Sequence, residues 1–247
     1  MVSVWITSLL AGFLGALTGL GGGVVIVPVL ALLFHVDLRY AIGASLISVI
    51  ATSSGAAAAY VREGFSNVRI GMFLEVATTL GALLGAYLTA KVTTHSIAII
   101  FGVVLVYSAW ASFRKQPAAV SHPPDALASR LKLVGDYPTR SGREEYSAER
   151  VPLGFGVMFL AGTLSGLLGI GSGAVKVLAM DEAMKLPFKV STTTSNFMIG
   201  VTAAASAGIY LFRGYISAGL AAPVMLGVLI GSLAGSRLLI RARVRVL

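Results

Sequence analysis

ALTGLGGGVVIVPVLALL, residues 16–33, decides the fold. It places Gly19, Gly21, Gly22 and Gly23 in an apolar run that carries no charge between Val4 and Phe34. Glycine costs a helix about 1 kcal/mol per residue, so four in five positions mark a break. Residues 4–17 and 24–33 then form two helical arms of about 21 and 15 Å at roughly 1.5 Å per residue. Backbone freed at the break is tolerated in lipid only where it is buried in protein or faces a watery cavity. The N–H groups of Gly21, Gly22 and Gly23, at the positive end of the second arm, make an anion cradle.

The chain has 247 residues, 56% of them hydrophobic and only 12% charged, and its mean hydropathy is +0.88. Those values lie far outside the range of soluble domains. Apolar segments recur near residues 3–34, 41–60, 70–90, 96–113, 152–180, 190–212 and 216–240, mostly with the roughly 20 residues a helix needs to cross hydrocarbon. The expected fold is an all-α, polytopic membrane protein embedded in the lipid bilayer. The first segment has no basic residue before it and is too long for a signal-peptide core. Cysteine is absent, which excludes disulfide and thiol chemistry. The net charge of +9 resides at segment ends rather than along one stripe, which fits lipid orientation and not nucleic acid.

Shifted by 150 residues, Ala11–Lys91 aligns with Ala161–Arg241 without a gap. Gly12/Gly162, Gly19/Gly169, Gly21/Gly171, Gly23/Gly173, Gly81/Gly231 and Gly85/Gly235 coincide, as do Ser45/Ser195, Thr52/Thr202 and Tyr60/Tyr210. The second cradle is therefore Gly171, Ser172 and Gly173. This gives a first transmembrane repeat at 1–113 and a second at 152–247. Between them, 114–151 is a polar linker in which a small hairpin about PTRSG lies on the membrane surface. Lys and Arg collect on the cytoplasmic side. If 152–180 enters and leaves on one face, that face holds two basic residues at 61–69, seven in the linker, two at 181–189 and four at the C-terminus, fifteen against three. With single crossings throughout there is almost no bias. Each half then has a re-entrant hairpin and three crossings, the halves are inverted repeats, and the linker is cytoplasmic in a multi-pass protein of the cell (plasma) membrane. The four-residue spacing of Ala77, Gly81 and Gly85, and of Gly227, Gly231 and Gly235, reads as close helix packing.

Lys176, at the position matching Ile26, is the one basic residue without an interface, and a charge at membrane depth is usually functional. It complements an anion at the tips, unless its stem reaches out to Asp181 or Glu182. Ser195 and Asn196, in STTTSNFMIG, and the matching Ser45 offer hydroxyl and amide donors to an oxyanion. Glu75 stands about one turn inside its segment; it is a candidate for proton (H+) coupling, with an interfacial pair to Arg69 or Arg62 as the competing reading. The chain has no HExxH, no GxSxG and no Walker A sequence, and no histidine stands near Ser165 to activate it. An enzyme is not expected, nor a cofactor or a metal. The candidates are a secondary transporter with alternating access, an anion channel, and a non-transporting membrane scaffold or sensor; homo-oligomerisation stays open.

The run Gly19–Pro28, its partner Gly169–Leu178, and KVSTTTSNFMIGVTAAASA at 189–207 resemble the TauE/SafE family of sulfite exporter-like permeases. The resemblance spans nearly the whole chain. It implies export of sulfite or small organosulfonates driven by an ion gradient, with the glycine motifs lining the site. Two departures stand out. Leu178 occupies the place of the family's second proline, which bears on the symmetry of the two hairpins, and the second half lacks a counterpart of Ser96–Phe113, so the polypeptide is expected to continue past Leu247.

Overall fold

The computed structural model describes residues 2–18, 22–62, 66–113, 126–139 and 142–241. Most of the described chain is helical. Helix α1 is Val2–Thr18, α2 Gly23–Pro28, α3 Leu38–Arg62, α4 Val68–Leu88 and α5 Thr94–Phe113. A short α6, Ala126–Arg130, precedes strands β1, Val134–Thr139, and β2, Gly142–Ser147. Then come α7, Val151–Leu168, α8, Gly173–Leu178, α9, Phe188–Phe212, and α10, Ala218–Arg241. Four helices among the described residues are long and apolar enough to cross a membrane: α4, α7, α9 and the stretch Ala218–Gly235 of α10. Large apolar side chains point outward along them; Leu160 is 62% exposed and Leu211 63%, as lipid-facing positions should be.

Sequence chemistry sets several boundaries. Asn67 caps α4, its side chain accepting a hydrogen bond from the Ile70 N–H at 3.0 Å. Pro152 occupies the first turn of α7, where its missing N–H costs nothing. Both α2 and α8 widen into a π-helical turn, Val29–Leu33 and Ala179–Ala183. Pro28 precedes the first turn, but Leu178 precedes the second, so proline is not what widens them. His35 and Lys185, one at the end of each turn, share a left-handed φ of 51° and 55°. The Leu178 departure therefore leaves the two turns alike.

Each break separates a long arm from a shorter one that runs on into its π turn, over residues 23–33 and 173–183. α1 has 17 residues and α7 has 18, against six each in α2 and α8. At 1.5 Å per residue the long arms measure about 26 and 27 Å and the short ones about 9 Å before their π turns. The chain nonetheless doubles back. The Glu149 N–H donates to the Met184 carbonyl at 3.0 Å, and Gly154 lies against the Met184 side chain. In the first half Val4, Ile26 and Leu30 share one buried cluster with Phe34.

The glycine ladders are the helix seams. A methyl group added at Gly81 or Gly85 would land on the backbone of Phe159 or Thr163, and one at Gly162 or Gly166 on that of Thr78 or Ala82. Thus α4 lies parallel to α7. In the same way Gly227, Gly231 and Gly235 of α10 meet the backbone of Trp5, Leu9 and Phe13, and Gly12 meets that of Val228, so α10 lies parallel to α1. The contacts of Gly81, Gly85 and Gly162 recur 150 residues on in those of Gly231, Gly235 and Gly12, with the two halves exchanged.

The loops gather at two ends. At one, Asn67 Nδ2 donates to Tyr146 Oη at 2.9 Å, and the hairpin packs Leu133, Tyr146 and Ala148 against Ile70 and Met184. Its strands are antiparallel, pairing Val134 with Ser147 and Pro138 with Arg143, and Arg143 ion-pairs with Asp136. Burial is the main influence raising the Tyr146 phenol above its ordinary pKa, with the Asp136 charge a lesser one in the same sense. At the other end Arg39 donates to Tyr215 Oη (3.4 Å) and to the Val92 carbonyl (3.5 Å), while Arg213 donates to the Ala86 carbonyl (2.8 Å).

Candidate binding site where the broken helices meet

The second break is fully described. Gly169 closes α7 in the left-handed region, φ 66°, its N–H donating to the Ser165 carbonyl at 2.8 Å. Gly171 has φ 69°, and Ser172 follows at φ 47°, a conformation that costs a residue bearing a Cβ about 1–2 kcal/mol. The matching Gly22 has φ −62°, open to any residue. Of this matched pair, Ser172 is the strained member. Gly21, the third member of the first cradle, lies outside the described residues.

The tips touch. A Cβ on Gly23 would stand 2.7 Å from Ser45 Oγ and 2.9 Å from the Gly169 carbonyl oxygen, and Gly171 packs against Ile199 and Val49. Ser45 Oγ donates to the Gly169 carbonyl at 2.7 Å and Ser195 Oγ to the Gly173 carbonyl at 3.3 Å. In this conformation both hydroxyls are engaged by backbone. The Asn196 carbonyl accepts from Ser53 Oγ at 2.5 Å. By contrast, Asn196 Nδ2 and Ser172 Oγ, along with Ser165 Oγ and Ser191 Oγ, are buried without a hydrogen-bond partner. An unpartnered polar group in such surroundings costs on the order of 1–3 kcal/mol.

Lys176 does not reach Asp181 or Glu182. Its side chain is 0% exposed; Nζ lies 2.5 Å from Thr202 Oγ1 and 3.8 Å from Glu75 Oε2. Thr202 Oγ1 donates to Glu75 Oε1 at 2.6 Å, and Thr79 Oγ1 does so at 3.1 Å. The interfacial reading of Glu75 is thereby corrected: it stands two turns into α4, 4% exposed, while Arg69 turns away to the Lys132 carbonyl. The Arg62 side chain lies outside the described residues. α4, α8 and α9 together wrap one carboxylate and one ammonium, and a second carboxylate oxygen, Glu75 Oε2, accepts no hydrogen bond. Breaking a buried pair of this kind by removing one member typically costs about 3–5 kcal/mol.

Thr202 and Thr79 were not singled out from the sequence, and neither was the pairing. A signal existed. The 150-residue offset sets Lys176 against Ile26 and also Glu75 against Met225. One half keeps an apolar couple, Ile26 being fully buried and Met225 half-buried; the other replaces both members by opposite charges. Among the described residues no three His, Asp or Glu side chains gather in a way that would hold a metal.

Comparison with known proteins identifies the family. Residues 4–247 match the model of the sulfite exporter TauE/SafE family. Two proteins of Bacillus subtilis (strain 168) are similar over most of their length. One, described as "Probable membrane transporter protein YunE", is 26% identical over 219 residues, 86% of this chain and 78% of the relative. The other, "Probable membrane transporter protein YdhB", is 25% identical over 240 residues, 95% and 86% of the two chains. No solved structure matches the chain.

Proposed function

The chain belongs to the TauE/SafE family of membrane transporters, and from that premise we propose that it is a secondary exporter of a small oxyanion, sulfite or a small organosulfonate. The anion is bound where the two tips meet. In this reading the halves are inverted repeats, each entering and leaving the plasma membrane on one face through its broken segment, and access alternates as one half rocks against the other. The linker end is cytoplasmic, and protons are the coupling ion through Glu75.

The observation that carries the reading is the buried polar set at the tips: Lys176 with Glu75, and the unpartnered Ser172 Oγ and Asn196 Nδ2. Gly22, Gly23, Gly171 and Gly173 let the backbone come close, and Ser45 and Ser195 exchange their carbonyl partners for the anion when the tips part. A scaffold gains nothing from such groups, which lower its stability. A channel would keep its path open, whereas Gly23 and Gly171 are closed upon Gly169, Val49 and Ile199; that suits a carrier in its occluded state.

The test is flux into proteoliposomes for a panel of sulfur oxyanions, with and without a pH gradient, for wild type and Lys176→Met. Lys176→Met is expected to abolish saturable flux. Unchanged affinity and flux would remove Lys176 from the site.

A further inference from the structure

Thr202 has one hydroxyl hydrogen and two acceptors, Glu75 Oε1 at 2.6 Å and the Met198 carbonyl at 3.0 Å. Its counterpart Thr52 donates to the Ser48 carbonyl at 2.8 Å, four residues back in its own helix, and Ile26 and Met225 hold the repeat positions of Lys176 and Glu75. A hydroxyl placed between an ammonium and a carboxylate senses whether the carboxylate is charged. Among the described residues the buried charged side chains are Glu75, Lys176 and Asp181, so the pair forms a neutral unit with no second buried cation.

We propose that Glu75 is a resident anion that the cargo displaces from Lys176, with Thr202 as the positioning residue that registers the exchange, so that one proton accompanies each monovalent anion and dianions are rejected. This rests on the transport reading above. With Glu75 ionised, Thr202 donates to Glu75 Oε1 and accepts from Lys176 Nζ. When an anion enters, a proton from the same aqueous side bonds to a Glu75 oxygen. The new Glu75 O–H donates to Thr202 Oγ1, the Thr202 hydrogen turns to the Met198 carbonyl, and the Lys176 N–H bonds pass to the anion. Release on the far side reverses each step, and the pair re-forms; because the proton travels with the anion, export runs down the cargo's own gradient and an acidic exterior opposes it. Charge in the closed site is zero throughout. A dianion would leave one uncompensated buried charge, which costs several kcal/mol per ion in protein interiors.

The other ionisable groups on these elements stand toward the helix ends, and past the end of α8 burial pushes the Asp181 carboxyl up to about 6. α7 has no ionisable side chain, and α9 has Lys189 in its first turn, Tyr210 near its far end and Arg213 just past it. On α4 Arg69 engages the Lys132 carbonyl, and beyond α8 Asp181, Glu182 and Lys185 act on one another.

Ethanesulfonate is the monoanion probe and sulfate the dianion, with reconstituted protein, an entrapped pH dye and the potential clamped by potassium and valinomycin. Wild type is expected to move one proton per ethanesulfonate, indifferent to potential, and sulfate at least about tenfold more slowly. Glu75→Gln is expected to move no proton with whatever ethanesulfonate it carries. Thr202→Val lowers net uptake, and Thr202→Ser restores both uptake and the ratio. Because Lys176→Met alone can misfold, the double variant E75M/K176I, which copies the apolar couple of the other half, serves as the folded control and loses uptake. Proton-free or potential-driven ethanesulfonate flux in wild type, or an unchanged proton ratio in Glu75→Gln, would overturn the proposal while leaving transport intact. No flux of any anion in wild type would overturn the transport reading, and this inference with it.

Discussion

Replacing Gly85 by Ala tests the seam between α4 and α7. The added methyl would overlap the Thr163 carbonyl oxygen and stand 2.9 Å from Leu167 N, so the helices must part by more than about 1 Å to restore ordinary contact near 3.4 Å. A gap of that size forfeits about half of the dispersion well at each facing atom pair. Over the few dozen pairs of a seam that amounts to about 2–4 kcal/mol, at or above the usual cost of overpacking. Alanine returns up to about 1 kcal/mol of helix propensity, leaving a net loss of about 1–3 kcal/mol. In a chain of this size that is about 2–12 °C in midpoint. Gly102→Ala on α5 is the reference, because nothing lies within 4 Å of its added methyl; it should hold or raise the midpoint. Gly235→Ala, whose closest contact is the Phe13 carbonyl oxygen at 2.7 Å, should fall between. Thermal unfolding in one detergent, followed by tryptophan fluorescence, gives the order. A Gly85→Ala midpoint equal to that of Gly102→Ala would refute the packing argument.

Tyr210→Phe removes the hydroxyl that donates to the Gly166 carbonyl at 3.1 Å and meets Thr89 at 2.8 Å, so it should cost about 1–3 kcal/mol; a midpoint equal to wild type would deny Tyr210 that role in holding the end of α7. The Tyr146 pKa is raised in the fold, so its contribution is complete below the unfolded value of 10.0 and is lost as pH climbs through the higher folded value. Near-ultraviolet circular dichroism should show the hairpin loosening only above that range, and the transition should vanish in Tyr146→Phe; loosening at lower pH would contradict it. The chain has no cysteine, so Ser129→Cys and His95→Cys can be labelled singly from either side of sealed vesicles. Labelling from the same side would exclude the two-ended grouping of the loops.

The helical class was legible because apolar runs of membrane length leave no alternative, and the seams because Gly81/Gly85 and Gly231/Gly235 repeat every four residues. The hairpin was legible from the alternation about PTRSG; strands at Val134–Thr139 and Gly142–Ser147 occupy that stretch. Three things were hidden. The π turns at Val29–Leu33 and Ala179–Ala183 have no residue pattern that marks them, since one follows proline and the other leucine. Glu75 read as interfacial because distance from a segment edge is a poor guide when the helix starts earlier than its apolar run. Its pairing with Lys176 joins residues on different helices, which local periodicity does not report; only comparing each residue with its counterpart in the other half exposes a charge swap at both positions.

The exchange of partners between the halves also constrains how the polypeptide is made. α1 leaves the ribosome long before α10, yet α10 is the helix that covers its glycine face, with Gly12 seated on Val228. Until α10 has been made, that face must be sheltered by lipid or by the insertion machinery. Neither repeat therefore matures as a separate unit, and a chain halted before α10 would reach the bilayer with the glycine face of α1 unclaimed.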